Sequence, residues 1–260
     1  MDYSNKVILI TGASSGIGRA VAIALSHYHN SIVITARRKE LLDTAADEVR
    51  SNGSECISFI GDALDPAHAD LVVAETVKKY GRIDIALLNI GNGPPSNTLT
   101  ASREKILGCM RNNFDTMINF YYPIMQQMKQ QKTRCMIAHM NSQACYFGIP
   151  MQGDYTAAKS AARIFLETAR MELQHFGIDH ILIQTIHPGF VDTAASRGDG
   201  IPIPNQISEE QAAAYVLEGF KKEMRENLFP PKMKFATNFG KIAPYWFLTK
   251  TLLDETPKDY

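Results

Sequence analysis

Residues 7–18 read VILITGASSGIG, and no other stretch of the chain narrows the choice of fold as sharply. An apolar run meets glycines at 12, 16 and 18, and a helix-like stretch begins there. In a strand–turn–helix unit the first glycine permits the tight turn. The second lets backbone N–H groups come close to a pyrophosphate, and the third lets the helix pack closely on the strand. The helix N-terminus adds unpaired donors and the positive end of its dipole. Gly12, Gly16 and Gly18, with the intervening Ser14, Ser15 and Ile17, are therefore expected to hold the phosphates of a dinucleotide.

The same letters allow a second reading. GASSG (12–16) matches G-x-S-x-G, a nucleophile elbow that would make Ser14 a nucleophile, with Asp84 and His187 as partners. Such an elbow would stand on the first strand, with no earlier loop to supply the second oxyanion donor. The dinucleotide reading is preferred.

Downstream, short apolar runs alternate with longer helix-like segments. VILI (7–10), SIVIT (31–35), CISFI (56–60), IALL (85–88), CMIAHM (135–140) and HILIQTI (180–186) are strand candidates. Arg19–Tyr28, Lys39–Asn52, Pro66–Tyr80, Ser102–Lys129 and Gly153–Phe176 carry apolar residues at three-to-four spacing. Runs without polar alternation indicate strands covered on both faces, as in parallel sheets. The expected fold is α/β: one doubly wound domain over 1–260, a mostly parallel sheet flanked by helices on both faces. A seventh strand is expected around Asn227–Phe229 and a helix kink at Pro123. Val191 to Ser208 shows no period, so a mobile substrate loop is expected over about 192–207, followed by a helix capped at Ser208. The aromatic segment about 235–253 is expected to pack in the core or between subunits; closing over the pocket and touching a membrane surface are the alternatives.

Lys+Arg and Asp+Glu are both 27, so no net field draws the chain to nucleic acid. Cys56, Cys109, Cys135 and Cys145 lack metal-type spacing and read as reduced core thiols, and no metal site is expected. With no secretory core at the start and no apolar run of about 20 residues, a soluble cytoplasmic protein without a membrane span is expected.

YTAAK (155–159) sets a phenol four residues ahead of an ammonium, roughly 5–6 Å apart between Cβ atoms on one helix face. At an effective dielectric near 20 the charge would favour phenolate by about 3 kcal/mol, about two pK units. Tyr155 is accordingly expected to exchange protons near neutral pH.

Taken with the glycine turn, Ser142, Tyr155 and Lys159 resemble the short-chain dehydrogenase/reductase family, whose fold is the Rossmann type. Ser142 precedes Tyr155 by the usual interval, GRIDIALLNIG (81–91) is similar to the segment ending Asn-Asn-Ala-Gly, and HPGFVDT (187–193) to the Pro-Gly turn beside the nicotinamide. The resemblance implies Asn113, Ser142, Tyr155 and Lys159 as catalytic residues. Tyr155 would protonate a carbonyl oxygen that Ser142 polarises, and Lys159 would also bind the nicotinamide ribose. Asn113, preferred to Asn112, would hold a water leading to solvent. It also implies cofactor contacts at Asp62, Asn89, Gly91, Pro188, Gly189, Val191 and Thr193. Leu88 and Ile90 depart from the family pattern.

About 20 positions beyond the glycines an NAD site places an acidic residue; this chain has Ala36 followed by Arg37 and Arg38. Guanidinium groups suit a 2′-phosphate, so NADP(H) is expected, with Arg37 the main contact. Tyr146, Phe147, Met151, Ile201 and Ile203 suggest an apolar ketone or aldehyde, reduced or formed by hydride transfer. The alternatives are an NAD-dependent alcohol dehydrogenase and a non-catalytic NADP(H) sensor. The resemblance further implies a homo-oligomer, dimer or tetramer, formed through the helices carrying Asn113 and Tyr155.

Overall fold

Uninterrupted apolar runs become strands because both of their faces are covered. In the computed structural model, which describes residues 1–194, 196, 206–254 and 256, these are β1 (Val7–Thr11), β2 (Ser31–Ala36), β3 (Glu55–Ile60), β4 (Ile85–Leu88), β5 (Cys135–Met140) and β6 (Ile181–Pro188). A seventh, β7 (Glu226–Phe229), adds at the edge where it is expected. All pairings are parallel, in the order β3-β2-β1-β4-β5-β6-β7.

The helices follow their sequence signals. They are α1 (Gly16–Ser26), α2 (Lys39–Ser51), α3 (Pro66–Tyr80), α4 (Arg103–Asn113), α5 (Asp115–Gln130), α6 (Gly153–His175), α7 (Glu209–Lys222), α8 (Pro231–Gly240) and α9 (Tyr245–Asp254). Asp65 caps α3 by accepting from Ala67 N–H at 3.0 Å, and Gly81 ends that helix in the left-handed region, at φ +75°. Ser208 and Gln211 form the capping box of α7.

Successive strand residues point to opposite faces, and two cores result. Ile8, Ile10, Ile32, Ile34 and Leu87 pack with α1, α2 and α7. Leu9, Val33, Ala86, Leu88 and Ile137 pack with α3, α5 and α6.

Three expectations need correction or fall outside view. The single helix expected over 102–129 is broken at Phe114 (φ −117°, ψ −53°), and Pro123 lies within α5 rather than at the interruption. Asn113 sits at that break, and its Nδ2 donates to the Cys109 carbonyl four residues back, the kind of side-chain bond that competes with helix continuation. The aromatic segment does not pack in the core. No residue of α9 is buried, and Phe235 and Tyr245 are 75% and 82% exposed. Most of the expected loop, including Ile201 and Ile203, lies outside the described residues.

Candidate active site

In a parallel sheet the order reverses between β1 and β4, which opens a crevice at the carboxyl ends of those strands. Every expected site residue but Asp62 and the arginine pair comes from segments at the carboxyl ends of β1, β4, β5 and β6 or from α4 and α6.

Gly12 and Gly16 have φ +67° and +64°, where a Cβ is strained. The turn is held from two sides. Gly12 N–H donates to Thr35 O at 2.8 Å. Asn89 donates from its backbone to Thr11 Oγ1 (3.0 Å) and from its side chain to Gly12 O (3.2 Å). A Cβ on Gly18 would lie 2.4 Å from Asn89 Nδ2, so helix and strand meet as closely as the glycine allows. Leu88 belongs to the core, while Ile90 touches the glycine turn, its Cγ1 2.9 Å from where a Gly12 Cβ would stand. Among the described residues only Thr193 comes near Gly16, at 3.8 Å from the Cβ position.

Arg38 reaches back from the end of β2 and donates to Ser14 Oγ at 3.0 Å and to Ser15 Oγ. Arg37 and Arg38 are both exposed, and of the two it is Arg38 that reaches the turn. Asp62, also exposed, accepts from Leu64 N–H at 3.0 Å beyond β3. Gly189 N–H donates to Phe229 O at 2.7 Å, and Val191 bridges to Ile207, so the segment after Pro188 runs on along the crevice.

The second cluster is buried at Lys159 and Asn113 and half-buried at Ser142 and Tyr155. Lys159 is 2% exposed; its Nζ donates to Met140 O at 2.9 Å and lies 5.7 Å from the centre of the Tyr155 ring. Asn113 is fully buried and donates from Nδ2 to Asn92 O at 2.7 Å. A Cβ on Gly91 would stand 2.5 Å from Asn113 Oδ1 and 2.8 Å from Lys159 Nζ, which brings the three together. Asn112 instead donates to Asn92 Oδ1 at 2.7 Å nearer the surface. Ser142 starts a single 3-10 turn, Gln143–Tyr146, and its Oγ accepts from Ala144 N–H at 3.1 Å. It also lies close enough to Tyr155 for its hydroxyl to favour the phenolate.

Burial corrects the expected electrostatics. It pushes the Tyr155 phenol up to about 12, with the Ser142 hydroxyl working against it. Burial likewise pushes the Lys159 ammonium down to about 8. At the pH where the phenol would ionise the lysine has already lost its proton, so in the protein alone it does not make the phenol acidic. Desolvation outweighs the attraction on which the sequence argument rested.

Residues outside the expected site support this second cluster. Gly93 lies against Tyr155, where a Cβ would be 2.5 Å from the ring. Asn141 Nδ2 donates to Lys159 O at 3.0 Å. His187 is fully buried with Nδ1 3.2 Å from Ser142 O, and burial pushes it down to about 3. The glycine of IGNGPP and His187, first residue of HPGFVDT, carried a signal; Asn141 carried none. The hydrolase reading fails: Asp84 accepts from Val7 N–H at 2.8 Å at the opposite end of the strands from Ser14. Among the described residues no group of three or more His, Cys, Asp or Glu could hold a metal ion.

A nicotinamide dinucleotide fits these residues. Among the described residues the glycine turn is open over Gly16, and Asn113 Oδ1 is a buried acceptor without a hydrogen-bond partner, a costly state that calls for a donor. The fold and the site define an oxidoreductase of the dinucleotide-binding class. The family model described as short chain dehydrogenase matches residues 6–200, and the chain belongs to the short-chain dehydrogenase/reductase family. An uncharacterized oxidoreductase of Listeria monocytogenes is 31% identical over 74% of this chain and 77% of its own. Two solved structures share the fold. A short-chain dehydrogenase/reductase from Burkholderia phymatum, in complex with NAD, has TM-score 0.85 at 20% identity, covering 100% of this chain and 99% of that one. An alcohol dehydrogenase from Thermococcus sibiricus, complexed with 5-hydroxy-NADP, has TM-score 0.76 at 23% identity, covering 86% and 94%.

Proposed function

We propose that the protein is an NADP-dependent reductase of apolar ketones or aldehydes, also able to oxidise the corresponding alcohols. The convergence of Ser142, Tyr155 and the buried Lys159 on one partly enclosed spot beside Gly91 and Asn113 carries this reading. A bound nicotinamide supplies the hydride. Ser142 Oγ donates to the substrate carbonyl oxygen and fixes its position. Tyr155, protonated at neutral pH because burial holds its phenol up, delivers a proton to that oxygen. Lys159, held by Met140 O, keeps a positive charge near the phenol in the protonated state that prevails below about pH 8. Asn113 Oδ1 takes a water that replaces the proton. Gly12, Ser14, Ser15, Gly16, Ile17 and Gly18 receive the pyrophosphate, and Arg38 with Arg37 receives the 2′-phosphate.

Phe147 and Met151, both partly buried beside the 3-10 turn, give the substrate apolar walls. Four free cysteines suit a reducing, cytoplasmic setting. A homo-oligomer forms through the helices carrying Asn113 and Tyr155, α4 and α6, whose Leu107, Ile164 and Met171 are 43%, 51% and 59% exposed.

The test is oxidation of NADPH and of NADH with a panel of ketones and aldehydes, run beside Tyr155→Phe. Turnover with NADPH that the variant loses is the expected result. Faster turnover with NADH would overturn the assignment of Arg37 and Arg38. NADPH binding without turnover on any carbonyl would favour a sensor.

A further inference from the structure

After β7 the chain leaves the sheet and forms α8 and α9. One side of this pair is anchored near the site. Thr237 Oγ1 donates to Gln143 Oε1, Gly240 abuts the Phe147 ring, and Met233 covers Gly189. The other side is bare: Phe235, Ile242, Tyr245 and Trp246 are 75%, 82%, 82% and 69% exposed. Exposed apolar groups gathered in this way mark a contact surface.

Charge identifies what the surface meets. α8 and α9 carry Lys232, Lys234 and Lys250 against one acidic residue, Asp254 at the end of α9, and Lys241 between them lies over the Tyr146 ring, although the whole molecule has net charge +0. Isologous pairing with a second copy would set this predominantly basic patch against itself. Interleaved aromatic rings and lysines suit an anionic bilayer instead. Trp and Tyr settle at headgroup level, and lysine stems lie along the apolar region with their ammonium groups on lipid phosphates. α9 has 10 residues, about 15 Å of helix, far below the roughly 30 Å of a hydrocarbon core. It can lie on a membrane and cannot cross one.

We propose that α8 and α9 form a reversible docking surface for an anionic lipid bilayer. Trp246 is the chain's only tryptophan and reports on this face directly. The full-length protein is mixed with vesicles of phosphatidylglycerol and phosphatidylcholine, or of phosphatidylcholine alone. Co-sedimentation and a blue shift of tryptophan emission with the anionic vesicles, reversed by salt, are the expected results. Lys234→Gln combined with Lys250→Gln lowers vesicle partitioning about 30-fold, taking the usual contribution of each basic residue near the surface. Carbonyl reduction in vesicle-free solution is unchanged in that variant and shows that it folds; circular dichroism gives the same check without relying on the proposed activity. Absence of a shift with anionic vesicles overturns the proposal, as does equal binding to neutral ones. A blue shift that follows protein concentration without lipid also overturns it and assigns the face to a second copy.

Discussion

Arg38 stands beside Ser14 and Ser15 at the open rim of the glycine turn, whereas Lys159 stands beside Tyr155 and Asn113 almost out of reach of solvent. Both places set a cation next to hydroxyl or amide groups. At the rim the guanidinium is a fixed charge with a forked set of donors, suited to gripping an anion. In the interior, burial brings the ammonium down to about 8 and the phenol up to about 12, so both sit off their ordinary values. The exposed cation can hold; the buried one can also change its proton occupancy. Depth, more than residue type, separates binding from chemistry here.

That contrast can be broken most severely from the buried side. Tyr155→Phe lowers kcat for carbonyl reduction about 10²–10⁴-fold while the far-ultraviolet circular dichroism is unchanged. Gly93→Ala presses a methyl against the Tyr155 ring, where the Cβ would be only 2.5 Å away. Displacing the phenol by about 1 Å costs up to about 10²-fold in kcat, with KM for NADPH unaffected. At the rim, Arg38→Ala raises the dissociation constant for NADPH about 10–100-fold, read by fluorescence titration, and that for NADH by less than about twofold.

The smallest effects lie in pH. Reduction needs Lys159 charged and Tyr155 protonated, so kcat/KM falls as pH rises through about 8, and Lys159→Arg moves that limb upward. Stability follows the opposite sign. Between about 8 and the ordinary lysine value of 10.5 the unfolded chain holds more protons than the native one, so Lys159 makes stability rise with pH in that window. Tyr155, raised from 10.0 to about 12, makes it fall above pH 10. Burial of Cys56, Cys109, Cys135 and Cys145 raises their thiols to about 11 or 12 and makes stability fall as pH rises above about 9, so the Lys159 contribution is read as a difference: from pH 8 to 9.5 the urea midpoint of Lys159→Met should fall more steeply than that of the wild type.

Local pattern carried the rim well. VILITGASSGIG encodes strand, turn and helix in one stretch, and its glycines need only their neighbours to be understood. The strands were legible for a similar reason, since burial on both faces leaves no polar alternation. The interior was legible only in its ingredients. YTAAK places the tyrosine and lysine on one helix face, yet their ionisation depends on desolvation by elements far away in sequence, such as β5 with its Met140 carbonyl. The split between α4 and α5 was hidden because the apolar spacing runs through it and the interruption comes from Asn113 bonding elsewhere. The exposure of α8 and α9 escaped because aromatic residues read as core until a fold shows no room for them.

The strand order has a consequence in time. Glycines near residue 12, Asn89 and the carbonyl of Met140 come together only when β1, β4 and β5 are side by side. Contacts between such distant stretches form late, after the entropy of closing the intervening loops has been met. On dilution from denaturant, helix signal will therefore return ahead of turnover, and catalytic activity will act as a clock for completion of the sheet.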